Sequence, residues 1–345
     1  MSTIVDVANL ARVSTATVSR VINTPDQVSP ATRDKVLKAM ETCQYRYNAL
    51  AKGFATQKTR IIGVVVPSIT NPVFAESTRG IQDVLSACGY HTILGNTDYT
   101  YAREAETLQV FRQMQVEGII ISTTDLKGEA LAALNREDFP FVLTYSTVRS
   151  GPLSCVGVDN FAGGYRATAH LTANGHTRIA MLAGAFSFSD KSRHRWYGYR
   201  KCLRDNKLSY DAALVLQSDY TLEGGMAGLD RLMALDHPPT AVFCSNDYLA
   251  LGIMEKARHL SLSIPRDLSL VGFDDIPMVG FLTPGLDTIH QPAYDMGQES
   301  ARVLVSRLKD GPGRPVHKLL PTQLIKRGSV QPPTGTPREI PCNHN

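Results

Sequence analysis

The sequence predicts a small all-α helix-turn-helix module at its amino terminus, followed by an α/β body of two similar lobes built on parallel sheets. Three observations predict it. Three segments with helical apolar spacing, each opened by a cap signal, follow one another before residue 46. From Arg60 onward, short apolar runs alternate with helical patterns, the signature of βαβ units in a parallel sheet covered on both faces. That rhythm runs to about residue 146 and restarts near residue 155. A chain of 345 residues is suited to two or three domains.

Thr3 and Asp6 stand at capping-box spacing and open a first helix to about Ala11, with Val5, Ala8 and Leu10 or Ala11 on its apolar side. "RVS" breaks the pattern. Ser14 then caps a second helix, "TATVSRVIN", whose Val18, Val21 and Ile22 recur at i, i+3, i+4. "TPDQ" is a turn. Ser29 followed by Pro30 places a capping hydroxyl before a proline at the first helical position. The third helix, about 30–43, is expected to bury Val36, Leu37 and Met40. A tight turn between the first two helices makes this a helix-turn-helix candidate. The free face of the second helix carries Thr15, Ala16, Ser19 and Arg20. Small side chains let a helix approach the floor of the major groove, and arginine can hold guanine O6 and N7 together. On spacing alone, an ordinary small helical bundle remains the alternative.

Charge separates the same two regions. Residues 1–60 hold nine Lys/Arg against four Asp/Glu, whereas the remainder holds 27 against 28. The excess positive charge of the chain therefore lies in its first sixth, which points to a polyanion as partner of that module. A solvated helical surface is the plainer explanation of the charge.

The body follows in order. "RIIGVVVP" is a continuous apolar strand, then come a helix near 73–88, "YHTILGN", a helix near 101–115, "GIIIS", a helix near 128–136 and "FVLTYS". The second set runs "CVGVD", a helix to about 174, "RIAMLAG", a helix near 191–206, "ALVLQ", a helix near 222–234, "AVFCSN", a helix to about 259 and "LSLVGFDD". "LDTIHQP", a helix near 293–309 and "KLLPTQLIKRGSV" close the chain, with late strands expected to cross back between lobes. Residues 331–345, rich in Pro, Gly, Asn and Thr, are expected to be a disordered tail.

Several function classes lack their signatures. No phosphate-binding glycine loop, nucleophile elbow or H-E-x-x-H is present, so no enzyme and no cofactor is expected. Six cysteines (43, 88, 155, 202, 244, 342) form no C-x-x-C pair, which argues against a disulfide framework or a zinc site. His170 and His176 are expected to be surface or hydrogen-bonded polar residues rather than metal ligands. No apolar run approaches the roughly 18 residues of a membrane span, and the first residues lack the apolar core of a signal peptide, so a cytoplasmic protein is expected.

In open α/β sheets ligands sit beyond the carboxyl ends of the strands. The residues just after the apolar runs are Ser68 to Phe74, Tyr145 and Ser146, residues 187–195, Tyr220, Asn246 with Asp247, and Asp274 with Asp275. Polar groups with flat aromatic rings suit a sugar-like ligand. Asp275 is expected to be a turn or cap residue. Lys191 and Arg195, four apart on a helix start, share a face, and Arg193 points elsewhere. Two cations at the cleft favour an anionic sugar of the gluconate type. A neutral sugar beside a solvated basic helix is the alternative.

"VDVANLARVSTATVSRVIN", "VSPATRDKVLKAM" and "YRYNALAKGF" resemble the N-terminal module of the LacI/GalR family of transcriptional regulators, nearly continuously over residues 3–60. "IIGVVVPSITNPVFAE", "VGVDN", "AVFCSNDYLALG", "SLVGFDDIP" and "TPGLDTIHQP" resemble the periplasmic-binding-protein-like core carried by that family, over about 61–330. The resemblance implies a DNA-binding domain at 1–46, a hinge helix and linker at 47–60 and a two-lobe effector-binding and dimerisation domain at 61–330. It implies base reading by Thr15, Ala16 and Arg20, and backbone contact or support from Ser14, Thr17, Ser19 and Asn23. Asn48, Ala51, Lys52 and Phe54 fall in the implied hinge, with Phe54 where the family usually has leucine as a minor-groove wedge, and Tyr47 where it often has proline. Apolar wedges, phenylalanine included, unstack a base step and kink the duplex. Effector positions implied by the match are Asn71, Phe74, Arg195, Tyr220, Asn246 and Asp274; Tyr145 and Lys191 join them from the strand-end reading. The partners implied are double-stranded operator DNA, a small sugar or sugar-acid effector and a second copy of the chain. The expected activity is repression of a sugar or sugar-acid operon. An activator or a corepressor-requiring regulator is the alternative, and an exported solute-binding protein a remote one.

Overall fold

The computed structural model describes residues 2–45, 59–123, 125–126, 128–146, 150–187, 189–311 and 313–334. The chain divides into two compact units, Met1–Thr59 and Arg60–Asn345.

The first unit has three helices, α1 (Ile4–Ala11), α2 (Thr15–Asn23) and α3 (Pro30–Thr42). The capping box forms: the Thr3 N–H donates to Asp6 Oδ2 at 2.7 Å, and the Asp6 N–H donates to Thr3 Oγ1 at 3.4 Å. These bonds from Thr3 hold the Asp6 carboxyl below its ordinary value. Arg12 ends α1 in the left-handed region at φ 54°, turning the chain toward α2. Val7, Ala8, Val18, Val21, Val36 and Ala39 make the core, with Ile22 and Met40 packed against it. Two of the apolar expectations are corrected. Val5 and Leu37 are 51% and 50% exposed, and Val7 and Ala39 take their places, because each helix turns its narrow inner stripe one or two residues away from the largest side chains. Ser29 stands before α3, but its hydroxyl donates to Thr32 Oγ1 rather than capping a backbone N–H.

The second unit contains two six-stranded sheets. Lobe 1 carries β1 (Ile61–Val66), α4 (Pro72–Ala87), β2 (His91–Asn96), α5 (Tyr101–Gln113), β3 (Gly118–Ile121), α6 (Glu129–Arg136), β4 (Phe141–Thr144) and β5 (Cys155–Val158). Lobe 2 carries α7 (Asn160–Ala173), β6 (Ile179–Gly184), α8 (Asp190–Asp205), β7 (Val215–Ser218), α9 (Leu222–Met233), β8 (Ala241–Cys244), α10 (Asp247–His259), β9 (Ser269–Asp274) and β10 (Asp287–His290). α11 (Ala293–Asp310) returns to pack on α4, β11 (His317–Leu320) extends the first sheet, and β12 (Gln323–Ile325) closes the second. The strand orders are β11-β5-β4-β3-β1-β2 and β12-β10-β9-β8-β6-β7. Every pairing is parallel except β10 with β12. β3, β4, β5, β6, β8 and β9 are buried along their whole length, as strands covered on both faces must be.

The chain thus passes between lobes three times, after β5, after β10 and between β11 and β12. The closing "KLLPTQLIKRGSV" supplies two late strands in different sheets, parted at Pro321, which has no N–H to continue a ladder. The segment after β12 is bolted to lobe 2. Asp287 Oδ1 accepts the N–H groups of Arg327, Gly328 and Ser329, and its Oδ2 meets His170 Nε2 at 2.7 Å. His176 lies between Thr240 Oγ1 and Gln331 O. Both histidines are buried and hydrogen-bonded, not surface residues. Residues 331–334, placed in the tail by composition, are held here too: Gln331 exchanges bonds with Ser269, and Thr334 Oγ1 donates to Arg266 O. The remainder of the expected tail lies outside the described residues.

Candidate functional site

On the first unit, α2 presents the face expected to read DNA. Ser14 is its N-cap: its Oγ accepts the Thr17 N–H at 3.1 Å and lies 3.0 Å from Thr17 Oγ1. Such a cap is worth about 1 kcal/mol of helix stability. Thr15, Ala16 and Arg20 are exposed, while Thr17 and Ser19 are half-buried. Val18 and Val21 on the opposite side anchor the helix, so the free face is fixed in rotation. Asn23 is the last residue of α2, and its side chain lies outside the described residues. Tyr47, Asn48, Ala51, Lys52 and Phe54 lie outside them as well.

In the second unit, every residue expected at the cleft stands at the carboxyl ends of the strands. Asn71, Phe74, Tyr145, Lys191, Arg195, Tyr220, Asn246 and Asp274 all line one small chamber of about 40 Å³ between the lobes. Asn71 and Asn246 are also N-caps, accepting the Val73 N–H at 3.2 Å and the Leu249 N–H at 3.0 Å. Phe74 meets Tyr145 edge-on at 5.1 Å, and the Tyr145 hydroxyl donates to Val73 O at 2.7 Å. Burial pushes that hydroxyl far up in pKa, so it stays a donor.

Arg195 is the buried cation of the chamber. Its Nε donates to Asn160 Oδ1 at 2.8 Å, its Nη1 donates to Ser245 O and lies 3.7 Å from Asp274 Oδ1, and the guanidinium stacks 3.4 Å over Phe273. Asp274 also accepts Gln291 Nε2 at 2.6 Å. Burial pushes the Asp274 carboxyl up to about 7 against the pull of Arg195. Lys191 spans the cleft: its Nζ donates to Thr123 O in lobe 1 at 3.0 Å and meets Asp190 Oδ1 at 3.1 Å. Arg193 points away and donates to Phe186 O. Asp247 is fully buried, accepting Thr288 Oγ1 and the Ile276 N–H, and fastens α10 to the sheet rather than facing the chamber. Asp275 pairs with Arg327 and His290.

Four chamber residues escaped the sequence reading: Pro67, Tyr99, Thr123 and Gln291. Each follows a strand, so the strand-end rule reaches them. Tyr99 was hidden because β2 is a half-exposed edge strand with no continuous apolar run to mark its end. Tyr99 stacks on Tyr220 across the cleft, centroids 4.6 Å apart at 24°. Tyr220 in turn donates to or accepts from Ser192 Oγ at 2.6 Å and lies against Gly184, where a Cβ would stand 1.9 Å from its ring. Gln291 Oε1 is buried without a hydrogen-bond partner. Among the described residues, no cluster of His, Cys, Asp and Glu could hold a metal ion, and no helix is long and apolar enough to cross a membrane.

A helix-turn-helix unit with a free polar face, joined to a two-lobe body with a polar chamber at its strand ends, defines a DNA-binding regulator that senses a small ligand. Comparison with known proteins agrees. Residues 3–48 match the family described as bacterial regulatory proteins, lacI family, and residues 168–330 match the periplasmic binding protein-like domain. The chain is 35% identical over 302 residues to catabolite control protein A of Priestia megaterium, covering 88% of this chain and 91% of that one. It is 35% identical over 315 residues to the HTH-type transcriptional repressor PurR of Vibrio vulnificus, covering 90% and 93%. A ribose-bound LacI family transcriptional regulator from Enterococcus faecium superposes with a TM-score of 0.72 at 33% identity, covering 79% of this chain and 99% of that one. The chain belongs to the LacI family of bacterial DNA-binding transcriptional regulators.

Proposed function

We propose that this protein is a cytoplasmic, homodimeric repressor of a sugar-catabolic operon, and that a neutral, polyhydroxylated effector in the interlobe chamber controls its hold on the operator. Thr15, Ala16 and Arg20 read base edges. Ser14, Thr17, Ser19 and Asn23 position or support the backbone contacts, and the segment with Asn48, Ala51, Lys52 and Phe54 enters the minor groove. A palindromic operator read by two heads requires two copies. An exposed apolar loop, with Phe281 at 86% and Met278 at 41% exposure, supplies a surface that a second copy would cover.

The observation that carries the effector class is the charge balance of the chamber. Lys191 and Arg195 suggested a sugar acid from the sequence. In the fold, Asp190 stands against the first and Asp274 against the second, and two N–H groups of Arg195 are already given to Asn160 and Ser245. Among the described residues that line the chamber, the buried side-chain atom without a partner is an acceptor, Gln291 Oε1. A hydroxyl of a neutral sugar or of a sugar acid can donate to it, so the pairing of both cations is what favours the neutral ligand. A ligand in the chamber shifts the regulator only through different affinity for its two lobe arrangements.

Calorimetric titration with D-ribose, D-glucose, D-galactose and gluconate tests the class. Binding of a neutral sugar without gluconate is the expected result. Binding of gluconate alone would restore the anionic effector and refute the neutral one. Operator footprinting with and without the sugar that binds gives the sign, release for a repressor with an inducer and tightening for one that needs a corepressor.

A further inference from the structure

The cleft is two spaces in series rather than one. On one side of the Tyr99–Tyr220 stack lies the chamber of about 40 Å³, room for a few water molecules. In front of it lies a vestibule of about 430 Å³, bordered by Pro67, Thr70, Asp98 and Asp219. The two tyrosines line both spaces. They come from opposite lobes, and each hydroxyl is tied on its own side, Tyr220 to Ser192 and Tyr99 to the Asn71 side chain. The rings are therefore presented face to face where vestibule and chamber meet, with Pro67 lining both spaces beside them.

The backbone beneath Tyr99 is unusual. Asp98 and Tyr99 are consecutive non-glycine residues in the left-handed region, at φ 47° and 56°. Such torsions persist only where neighbours enforce them. Here Asn96 Nδ2 and Arg103 hold the Asp98 carboxylate, and the Tyr99 N–H donates to Pro67 O at 3.3 Å. The tip is aimed at the cleft by contacts on lobe 1 alone, so its ring can leave Tyr220 without breaking the β2 pairing.

We propose that Tyr99 is the entrance and size-selecting residue of the effector chamber, closing it against any ring-sized ligand until its side chain parts from Tyr220. A ligand reaches the vestibule first, then passes the parted rings, which afterwards stand against its flat face. This extends the effector reading of the cleft, but the test needs no effector, so the two can fail separately.

Val73 lines the chamber and is 4% exposed, which makes Val73→Cys a reporter of access. Its modification by methyl methanethiosulfonate is followed by peptide mass spectrometry in the full-length protein, alone and with Tyr99→Ala or Tyr99→Phe. The native Cys155 and Cys244, both fully buried, report unfolding in the same sample. Tyr99→Ala should speed modification of the reporter by up to about tenfold, the value of losing an aromatic stack, with Cys155 and Cys244 unchanged. Tyr99→Phe, which keeps the ring, should stay near the parent rate. An unchanged rate in Tyr99→Ala, a rise matched by Cys155 and Cys244, or equal rates in the Ala and Phe variants would overturn the proposal.

Discussion

Asp274 concentrates the chemistry of the cleft in one residue. It is buried beside Arg195, Gln291 and, behind it, the buried Asp247, and its carboxyl is pushed up to about 7. A neutral sugar that donates a hydroxyl to Asp274 needs the carboxylate form. Its affinity should therefore rise between pH 6 and pH 8 and level off above the Asp274 pKa, a change of up to about tenfold. A sugar acid would show the opposite slope, because an ionised Asp274 repels it. Calorimetry at pH 6, 7 and 8 reads the sign, and Asp274→Asn should flatten the profile. Much of this chamber was legible in the sequence, since the strand-end stretches contain ten of its fourteen lining residues. What was not legible was who neutralises whom. Asp190 precedes Lys191 in sequence, but the pairing of Arg195 with Asp274, 79 positions away, exists only once β9 lies beside α8. A sequence shows cations singly, and the fold shows them paired.

At the scale of elements, the proposed function divides DNA binding between α2 and the hinge segment. α2 was readable to the residue, because Ser14 and the Val18, Val21 spacing are local signals that the core then uses. Leu37 and Val5 were misplaced because three short helices leave little interior, and not every apolar side chain fits inside it. The hinge helix implied by the resemblance falls at 47–60, mostly outside the described residues, and by propensity Gly53 opposes a helix in so short a segment by about 1 kcal/mol. Phe54→Ala should weaken operator binding in an anisotropy titration and leave sugar binding by calorimetry unchanged; unchanged operator affinity would remove the wedge role. Arg20→Ala should cost about 1–3 kcal/mol on the operator and relax preference at one base pair per half-site. A loss that is uniform over all sequences would reassign Arg20 to the phosphates.

At the scale of the molecule, three crossings and one continuous apolar cluster join the lobes. Lys191 to Thr123, Tyr248 to Thr70 and the Tyr99–Tyr220 stack span the cleft among the described residues. A ligand in the cleft shifts the lobe angle only by its difference in affinity for the two arrangements. The positive excess confined to residues 1–60 makes the operator complex sensitive to salt, whereas the near-neutral body is free to serve pairing and sensing. Phe281→Glu should convert a dimer to monomer in sedimentation velocity and lower operator affinity with it; a dimer that persists would move the interface elsewhere.

The proposed function requires one linkage, that a sugar in the chamber and the operator at the helix-turn-helix unit change each other's affinity. The direct measurement is an anisotropy titration of full-length protein onto an operator selected from random duplexes, with and without a saturating sugar identified by calorimetry. The account predicts enrichment of a near-palindrome and a shift in operator affinity of about 5- to 150-fold when the sugar is present. Enrichment of no specific sequence, or the same operator affinity with the chamber filled, would contradict it.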